Sequence, residues 1–492
     1  MPLPLPCQIR YNSGLMSFDI KQLISANRGK NFILHDQFIN PQFVRVLRTI
    51  GFDKVYERSE GAYFYDAEGN SYLDFLSGYG SFNIGRNHPV VRKAIQDVME
   101  LELPNMIQMG CGLLPGILAQ ELLKLTPSSI DTVFFTNSGT ESVEGALKFA
   151  KAHTRRDKIL YLDHAFHGLS LGSLSCNGNE EFRKGFGRLL EPAEAVPMND
   201  LEALEKALSK KDVACLIIEP IQGKGVYVPK ENYLIEAQNL CRKYGTLLIC
   251  DEIQSGFGRT GKFFAFEHWN LEPDIITIAK SLSGGYVPVG AILMRRDIYN
   301  STYTKMDRCV VHSSTFGKND LAMAAALASL AVLKEEKLVE NAEKVGSYLL
   351  EKLNALKPKY EMLKEVRGKG LMIAIEFGEP KSLKLRIGWN LVHKASKGLF
   401  GQMIVVPLFT QHRILSQVPG HNMDVVKILP TLTISRKEAD YFVEAMDQVM
   451  TACHKFPGAA WEVGYTLAKQ ALKAKGASLR EEKELEAVFE SA

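Results

Sequence analysis

The sequence predicts an α/β protein with a mostly parallel sheet, followed by a smaller α+β domain. From about residue 115 to 335, short and nearly continuous apolar runs alternate with stretches of helical periodicity, and near residue 340 this alternation stops. Continuous apolar strands separated by helices are typical of a parallel sheet that is covered on both faces. Ligands of such sheets bind outside the carboxyl ends of the strands, so the residues after each run are candidate site residues.

Length and composition exclude several classes of protein. The chain has 492 residues, of which 46% are hydrophobic, and its formal net charge is +3. The length suggests at least two domains, and the charge gives no reason to expect a nucleic acid partner. No apolar run reaches transmembrane length, and we expect no signal peptide. The eight cysteines are scattered, so we expect reduced thiols in a cytoplasmic protein.

The segment before the sheet is predicted to hold two helices and a hairpin. Apolar residues have helical spacing over residues 18–24 and 43–50. Alternation around a Glu-Gly-Asn turn predicts a β-hairpin over residues 62–74. Glycines then flank Tyr79 and bend the chain, so Tyr79 is either a site residue or a packed surface aromatic.

Five apolar runs predict strands of the sheet, and the stretches between and after them predict helices. The runs are residues 132–135, 159–162, 214–218, 246–250 and 275–279, and the helical stretches include 117–125, 201–208 and 321–333.

Small and hydroxyl-bearing residues follow the first run. Ser138, Gly139 and Thr140 open a predicted helix. Free backbone N–H groups and hydroxyls at a helix N-terminus bind anions, typically phosphate. The alternative is an ordinary Ser/Thr helix cap. The glycine beside two hydroxyls favours phosphate.

An aromatic residue and two histidines follow the second run. Phe166 stands at a strand end close to Gly168, where an aromatic ring can lie over a flat ligand. His164 and His167 have H-x-x-H spacing, but no third ligand lies nearby, so a metal site is disfavoured.

An acid and a lysine occupy equivalent places at the ends of two successive strands. Asp251 follows the fourth run and Lys280 follows the fifth. A buried carboxylate requires a cationic partner, so the two residues either pair directly or hold a ligand between them. Burial also favours a neutral amine, which can form a Schiff base. The alternative is a lysine that ends its strand and extends to water.

One glycine motif invites a different interpretation. Residues 256–261 match the G-x-G-x-x-G pattern of dinucleotide-binding proteins. In that pattern the glycines follow the strand directly, whereas Asp251 and Glu252 intervene here and would repel a pyrophosphate. We therefore disfavour an NAD enzyme.

The last third of the chain predicts an α+β domain and a helical tail. Helices are expected over residues 341–356 and 437–451, and strands over 371–376, 405–407 and 425–434. The expected organisation is an N-terminal arm with part of the small domain (1–75), a large domain (76–338), a C-terminal small domain (339–455) and a helical tail or linker (456–492).

Taken together, these motifs resemble the class III (omega-type) pyridoxal-phosphate-dependent aminotransferases, with the greatest likeness to putrescine- and ornithine-type members. The resemblance runs from about residue 45 to 453, and its motifs come in family order: residues 137–140, 165–168, 219–223, 251–261, 279–281 and 367–370. It implies fold type I, with a seven-stranded, mostly parallel sheet in the large domain. It also implies pyridoxal 5′-phosphate as cofactor and a homodimer with shared active sites.

The resemblance assigns roles to the candidate residues. Lys280 would hold the cofactor as a Schiff base and move the proton, Asp251 would keep the pyridine nitrogen protonated, and Phe166 would stack on the ring. Gln254 would bind the ring hydroxyl. Further residues of the implied site are His167 in the cofactor set, Ser138, Gly139 and Thr140 at the phosphate, Thr315 from the neighbouring subunit, Tyr79 in the substrate pocket, and Glu219 as support.

Three departures from the family pattern concern the substrate. Lys224 stands where ornithine-type members have a second acid, Lys427 where they have a carboxylate-binding arginine, and Leu169 where some members have an arginine. Arginine binds a carboxylate bidentately and lysine does not, so glutamate handling of the usual kind is not expected. Alternatively, Lys224 and Lys427 bind an acid or phosphate on the substrate. Residues 384–426 match no family pattern and are expected to shape the substrate entrance.

We therefore expect an aminotransferase that moves an amino group from a primary amine, polyamine-like or apolar, or from an omega-amino acid to a carbonyl acceptor by a ping-pong mechanism. The alternatives are an aminomutase, decarboxylase or phospho-lyase on the same cofactor, and an ornithine- or acetylornithine-type enzyme that uses 2-oxoglutarate. A non-catalytic protein that keeps the fold is a further alternative, against which the intact Lys280, Asp251 and Gln254 argue.

Overall fold

The computed structural model describes residues 18–107, 109–230, 232–420 and 422–474, and the chain divides after Tyr56 into two units. The described part of the first unit contains three short helices, α1 (Ile20–Ala26), α2 (Asn31–Phe38) and α3 (Pro41–Thr49). The side chain of Asp19 caps α1, and that of Asn40 caps α3, which begins with a proline. The two predicted helices of this segment correspond to α1 and α3.

Strands and helices alternate over about residues 115–335, as the sequence predicts, and further elements precede and follow this region. The strands are β1 (Tyr56–Glu60), β2 (Tyr63–Asp66), β3 (Ser71–Asp74), β4 (Thr132–Thr136), β5 (Lys158–Leu162), β6 (Ala193–Val196), β7 (Val213–Ile218), β8 (Leu247–Asp251), β9 (Ile275–Ile278), β10 (Gly290–Met294), β11 (Leu363–Lys369), β12 (Met372–Phe377), β13 (Ile414–Leu415) and β14 (Val425–Ile428). The helices are α4 (Ser77–Gly80), α5 (Pro89–Glu100), α6 (Leu113–Leu123), α7 (Gly139–Thr154), α8 (Leu171–Ser175), α9 (Glu180–Arg183), α10 (Leu201–Leu208), α11 (Tyr233–Tyr244), α12 (Arg296–Asn300), α13 (Asp320–Glu335), α14 (Leu338–Asn354), α15 (Leu383–Ala395), α16 (Leu399–Thr410), α17 (Arg436–Cys453) and α18 (Ala459–Ala474).

A seven-stranded sheet forms the centre of the second unit. Its order is β4-β10-β9-β8-β7-β5-β6, and the pairs β5–β6, β5–β7, β7–β8 and β8–β9 are parallel. Strand β10 runs antiparallel to both of its neighbours. Every residue of β7 and β8 is buried, as expected for strands that helices cover on both faces. The predicted α/β fold with a mostly parallel seven-stranded sheet is confirmed.

Two smaller sheets complete the second unit. One has the order β1-β2-β3-β13, in which β2 and β3 form the predicted hairpin and β13 pairs parallel to β3. The other is antiparallel, with the order β11-β12-β14. The predicted strand over residues 425–434 ends at Ile428. The domain boundaries at residues 75, 338 and 455 stay a prediction.

One predicted strand is wrong. Residues 405–407 lie inside helix α16, which is buried over most of its length. A helix that is apolar on every face has no visible periodicity, so a short part of it resembles a buried strand. Pro407 lies within the last turn of this helix.

A buried arginine joins separate parts of the second unit. The side chain of Arg259 is fully buried and donates hydrogen bonds to Leu371 O (3.1 Å), Asn83 Oδ1 (2.5 Å) and Pro430 O. Burial lowers its pKa to about 9. The guanidinium therefore fastens the loop after β8 to segments near both ends of this unit.

Within the residues described above, no helix is long and apolar enough to cross a membrane. The seven cysteines among them are free thiols.

Candidate active site

A cavity of about 1080 Å³ opens at the carboxyl ends of the parallel strands. Its wall is formed by loops after β4, β5, β7, β8 and β9, together with segments 396–402 and 417–420 and Asn422. The predicted site residues on this wall are Tyr79, Ser138, Gly139, Thr140, Phe166, His167, Leu169, Glu219, Lys224, Asp251, Gln254, Lys280 and Lys427.

Lys280 and Asp251 lie at the ends of neighbouring strands on this wall. Asp251 is the last residue of β8, and Lys280 follows β9 and opens a short 3-10 helix, Lys280–Ser283. The φ of Lys280 is +38°, a backbone conformation that is rare for a lysine. Desolvation lowers the pKa of Lys280, and the carboxylates of Asp251 and Glu219 only partly oppose this effect. The amine is therefore closer to its nucleophilic form than an exposed lysine.

His167 lies behind Asp251. Its Nδ1 is 2.7 Å from Asp251 Oδ2, and both side chains are buried. The other carboxylate oxygen accepts hydrogen bonds from Ile253 N (3.1 Å) and Thr277 Oγ1 (3.3 Å). His167 Nε2 is buried and has no hydrogen-bond partner among the described residues. The imidazole thus orients the carboxylate, as histidine–carboxylate pairs do around other reacting groups.

Glu219 connects two parts of the cavity wall. Its Oε1 accepts a hydrogen bond from Phe166 N at 2.8 Å, and its Oε2 accepts one from Gly223 N at 2.6 Å. Burial raises the pKa of this carboxyl group. Glu219 thereby fixes the backbone that carries the Phe166 ring and the turn at Gly223.

The N-terminus of α7 forms another wall. Ser138 Oγ accepts a hydrogen bond from Glu141 N at 3.3 Å, so Ser138 caps this helix. Thr140 Oγ1 lies 2.5 Å from Ser170 Oγ and 2.6 Å from Ser173 Oγ. A Cβ at Gly139 would lie 3.0 Å from the side chain of Ile253, so glycine leaves more room than any other residue at this helix N-terminus. The structure therefore shows Ser138 as a helix cap, and the phosphate site at this helix N-terminus stays a prediction.

Tyr79, Leu169 and Lys224 lie toward the mouth of the cavity. Tyr79 has a left-handed backbone, φ +59°, and both Tyr79 and Leu169 are more than half exposed. Lys224 Nζ is 4.2 Å from the centre of the Phe182 ring and 4.0 Å from Glu181 Oε1. Desolvation lowers the pKa of Lys224.

Lys427 lies deeper, on strand β14. It is only 4% exposed, and its Nζ donates hydrogen bonds to Gly223 O (2.8 Å) and Gln254 Oε1 (3.1 Å). Gln254 Nε2 in turn donates to Tyr79 O at 2.9 Å. Burial and the nearby Lys280 lower the pKa of Lys427 to about 7.

Comparisons with known proteins identify the family. The family described as aminotransferase class-III matches residues 49–450. The chain belongs to the class III aminotransferases. It is 37% identical over 447 residues to aminotransferase PigE of Serratia sp. (strain ATCC 39006), an alignment that covers 84% of this chain and 52% of that protein. The chain thus spans about half the length of this curated relative.

Solved structures of class III enzymes resemble the chain over most of its length. Ornithine aminotransferase from Toxoplasma gondii ME49 has a TM-score of 0.76 at 29% identity, covering 89% of this chain and 99% of that chain. An (S)-enantioselective omega-transaminase from Thermomicrobium roseum has a TM-score of 0.74 at 28% identity, covering 89% of this chain and all of the other. Both neighbours are transaminases, which agrees with the expected enzyme class.

As a class III aminotransferase, the chain uses pyridoxal 5′-phosphate, and the residues of the cavity fit this cofactor. A lysine with a lowered pKa, a buried carboxylate held by a histidine, and the open N-terminus of α7 surround one space, with the Phe166 ring on its wall. These groups match an aldehyde, a pyridine nitrogen, a phosphate and an aromatic ring respectively.

Several observations concern individual predictions for this class III site. Thr315 is exposed and does not line the cavity of its own chain, and its expected role in the site of a neighbouring subunit stays a prediction. Phe182 stands edge-on to Phe166 at 5.5 Å between ring centres, and no motif marks it. Segments 396–402 and 417–420 and Asn422 lie on the cavity wall, within the region 384–426 that is expected to shape the substrate entrance. Gln254 was assigned to the cofactor alone, but it also bonds to Lys427 and Tyr79.

Proposed function

We propose that the protein is a pyridoxal-phosphate-dependent aminotransferase that moves an amino group from a primary amine, polyamine-like or apolar, or from an omega-amino acid to a carbonyl acceptor by a ping-pong mechanism. The observation that carries this proposal is the placement of Lys280, Asp251 and the open N-terminus of α7 around one cavity of a class III chain. A lysine nucleophile, an acid for the ring nitrogen and a phosphate site are the minimum set for this chemistry.

In this proposal each residue near the cofactor has one task. When bound, pyridoxal phosphate withdraws electrons from the carbon that bears the amino group, which makes a proton on that carbon removable. Lys280 holds the cofactor and afterwards moves that proton, and its lowered pKa suits it to accept one. Asp251, oriented by His167, keeps a proton on the ring nitrogen, and Phe166 covers the ring.

The remaining residues are assigned to the ring hydroxyl and the phosphate of the cofactor. Gln254, Ser138, Gly139 and Thr140 line the cavity, where Gln254 would bind the ring hydroxyl and the other three would hold the phosphate. Thr140 Oγ1 already lies close to two serine hydroxyls, so its backbone N–H is the donor that we assign to the phosphate.

The substrate side supports an amine donor. Leu169 is 56% exposed at the cavity and offers apolar contact where some family members have an arginine. Tyr79 and Lys224 complete this side of the pocket. A second candidate is an ornithine-type reaction with 2-oxoglutarate, which the similarity to Toxoplasma gondii ornithine aminotransferase supports. An aminomutase, decarboxylase or phospho-lyase on the same cofactor is the remaining alternative.

We also propose a homodimer with shared sites in the cytoplasm. Thr315 lies outside the cavity of its own chain, which agrees with a role in the site of a neighbouring subunit. The formal net charge of +3 gives no reason to add a nucleic acid partner.

The proposal is tested by absorption spectroscopy of the purified protein with pyridoxal phosphate. We expect a visible band from the bound cofactor that disappears when a suitable amine is added and returns when a carbonyl acceptor follows. A band that responds to glutamate but to no simple amine would favour the ornithine-type alternative. A product that has lost carbon dioxide or phosphate instead of forming a carbonyl would favour a decarboxylase or a phospho-lyase. The absence of any visible band would refute the proposal that the protein is a pyridoxal-phosphate enzyme.

A further inference from the structure

Lys427 is the meeting point of three parts of the cavity wall. The residue lies on β14, which pairs with β12 in the small antiparallel sheet. Its amine reaches the turn after β7 through Gly223 O and the loop after β8 through Gln254 Oε1. The two contacts span 204 and 173 residues of sequence, so one side chain joins segments that are otherwise far apart along the chain.

The turn at Gly223 is built to receive this contact. A Cβ at Gly223 would lie 2.6 Å from Gln254 Oε1 and 2.9 Å from Glu219 Oε2, so a side chain there would displace both groups. The N–H of Gly223 donates to Glu219, while its carbonyl accepts from Lys427. The path of hydrogen bonds runs from Phe166 through Glu219, Gly223 and Lys427 to Gln254.

The hydrogen-bonding capacity of Lys427 matches its two partners. A neutral amine carries two N–H groups, and the described residues provide two acceptors. The described residues give it no carboxylate within ion-pair distance. The charged groups that face it are Lys280, Lys224 and Arg259, which together with burial lower its pKa to about 7, and Glu219, which opposes this shift, so a large fraction of the amine is neutral near neutral pH.

We infer that Lys427 is a positioning residue, whose amine ties the Gly223 turn to Gln254, and that it does not bind a carboxylate of either substrate. The arginine at this place in ornithine-type enzymes is replaced here by a side chain whose donors are used within the protein. The inference rests on the proposed function, because Gln254 matters only where it faces the cofactor. The inference goes beyond that function in one respect: the cofactor contact of Gln254 depends on a residue of the antiparallel sheet β11-β12-β14.

The first test compares three six-carbon amine donors that differ only at the far end: hexylamine, 1,6-diaminohexane and 6-aminohexanoate. In Lys427→Met we expect kcat to fall by a similar factor, about tenfold, for all three, because a misplaced Gln254 affects each of them. A carboxylate-binding role predicts a rise in KM for 6-aminohexanoate alone. That second result would overturn the inference.

The second test is a double-mutant cycle with Gln254→Ala, measured on cofactor affinity and on the pH midpoint of the visible band. If Lys427 acts through Gln254, the cofactor affinity of the double variant falls by about the same factor as that of the more severe single variant, and both single variants shift the band midpoint in the same direction. A double variant whose loss of affinity equals the product of the two single losses would overturn the inference. Because this cycle needs no turnover, it remains decisive if all donors fail, a result that would contradict the proposed function instead.

The control is Lys158→Met. Lys158 is also buried, but it lies at the start of β5, at the end of the strand away from the cavity, and pairs with Glu194 at 2.5 Å. The Lys158→Met variant should leave the band midpoint unchanged. This result would distinguish the loss of the Lys427 hydrogen bonds from a general loss of stability. If Lys427→Met does not fold, Lys427→Gln keeps an NH₂ donor group on a shorter side chain and is expected to show the same uniform but smaller loss of kcat for the three amines.

Discussion

Replacing Glu219 by glutamine tests how the cavity wall is held. The carboxylate of Glu219 is 6% exposed and accepts one backbone hydrogen bond on each oxygen, from Phe166 N at 2.8 Å and from Gly223 N at 2.6 Å. A glutamine of nearly the same shape offers one acceptor oxygen and one NH₂ group. One backbone N–H of the wall must then face another donor.

The expected magnitude follows from these two contacts. Loss of a hydrogen bond to a charged acceptor costs about 1.5–3 kcal/mol, and a buried N–H left without a partner costs about 1–3 kcal/mol. Removing a buried charge, whose desolvation raises the pKa of Glu219, returns part of this cost. We therefore expect Glu219→Gln to lower the free energy of unfolding by about 2 kcal/mol.

Urea unfolding of the cofactor-free protein, followed by circular dichroism and fluorescence, measures this change. Glu205→Gln is the matched control, because Glu205 lies on the surface, where it pairs with Lys243 at 2.6 Å, and its loss should change the midpoint little. A Glu219→Gln protein that is as stable as the unmodified chain would show that the carboxylate is not what holds the Phe166 and Gly223 backbone, and the argument from charge-assisted bonds would fail.

Three further predictions concern Lys280 and Arg259. Lys280→Ala should abolish the visible cofactor band and lower kcat by at least about a thousandfold, while circular dichroism shows an unchanged fold. In the unmodified, cofactor-free protein, the rate of recombination with pyridoxal phosphate should rise with pH as Lys280 loses its proton and level off below pH 10.5, because desolvation lowers the pKa of this lysine from that value; a rate that still climbs above pH 10.5 in stopped-flow absorbance would contradict this. Arg259→Lys should lower the free energy of unfolding by about 3 kcal/mol, because a lysine amine cannot reach the separate acceptors that the guanidinium spans; calorimetry that finds an unchanged Tm would refute this.

The strands of the central sheet could be predicted because burial on both faces leaves a continuous apolar run. The runs at residues 214–218 and 246–250 lie within one residue of β7 (Val213–Ile218) and β8 (Leu247–Asp251). Strand β10 (Gly290–Met294) could not be predicted from the sequence, because the residues before it, Gly284, Gly285 and Pro288, are typical of a loop. Its antiparallel direction depends on partners far away in the chain.

The candidate site could be predicted where each residue directly follows a strand. Asp251 and Lys280 share one wall because the strands before them, β8 and β9, are parallel neighbours. The contacts of Lys427 could not be predicted, because they depend on how β14 approaches loops about two hundred residues earlier. The position of Phe182 beside Phe166 could not be predicted either, because a single aromatic residue in a short helix forms no recognisable pattern in the sequence.

The pairing of β3 with β13 sets an order of events during synthesis. Leu73 N donates to Arg413 O at 2.8 Å, and Phe75 N donates to Leu415 O at 2.9 Å, so the edge of β3 is completed by residues about 340 positions later. Translation at roughly 5–20 residues per second adds that length in about 20–70 s. Throughout this interval the nascent β3 edge, beside the segment that carries Tyr79, presents unpaired N–H groups to other chains. This edge of β3 can therefore be completed only after residue 415 has emerged from the ribosome.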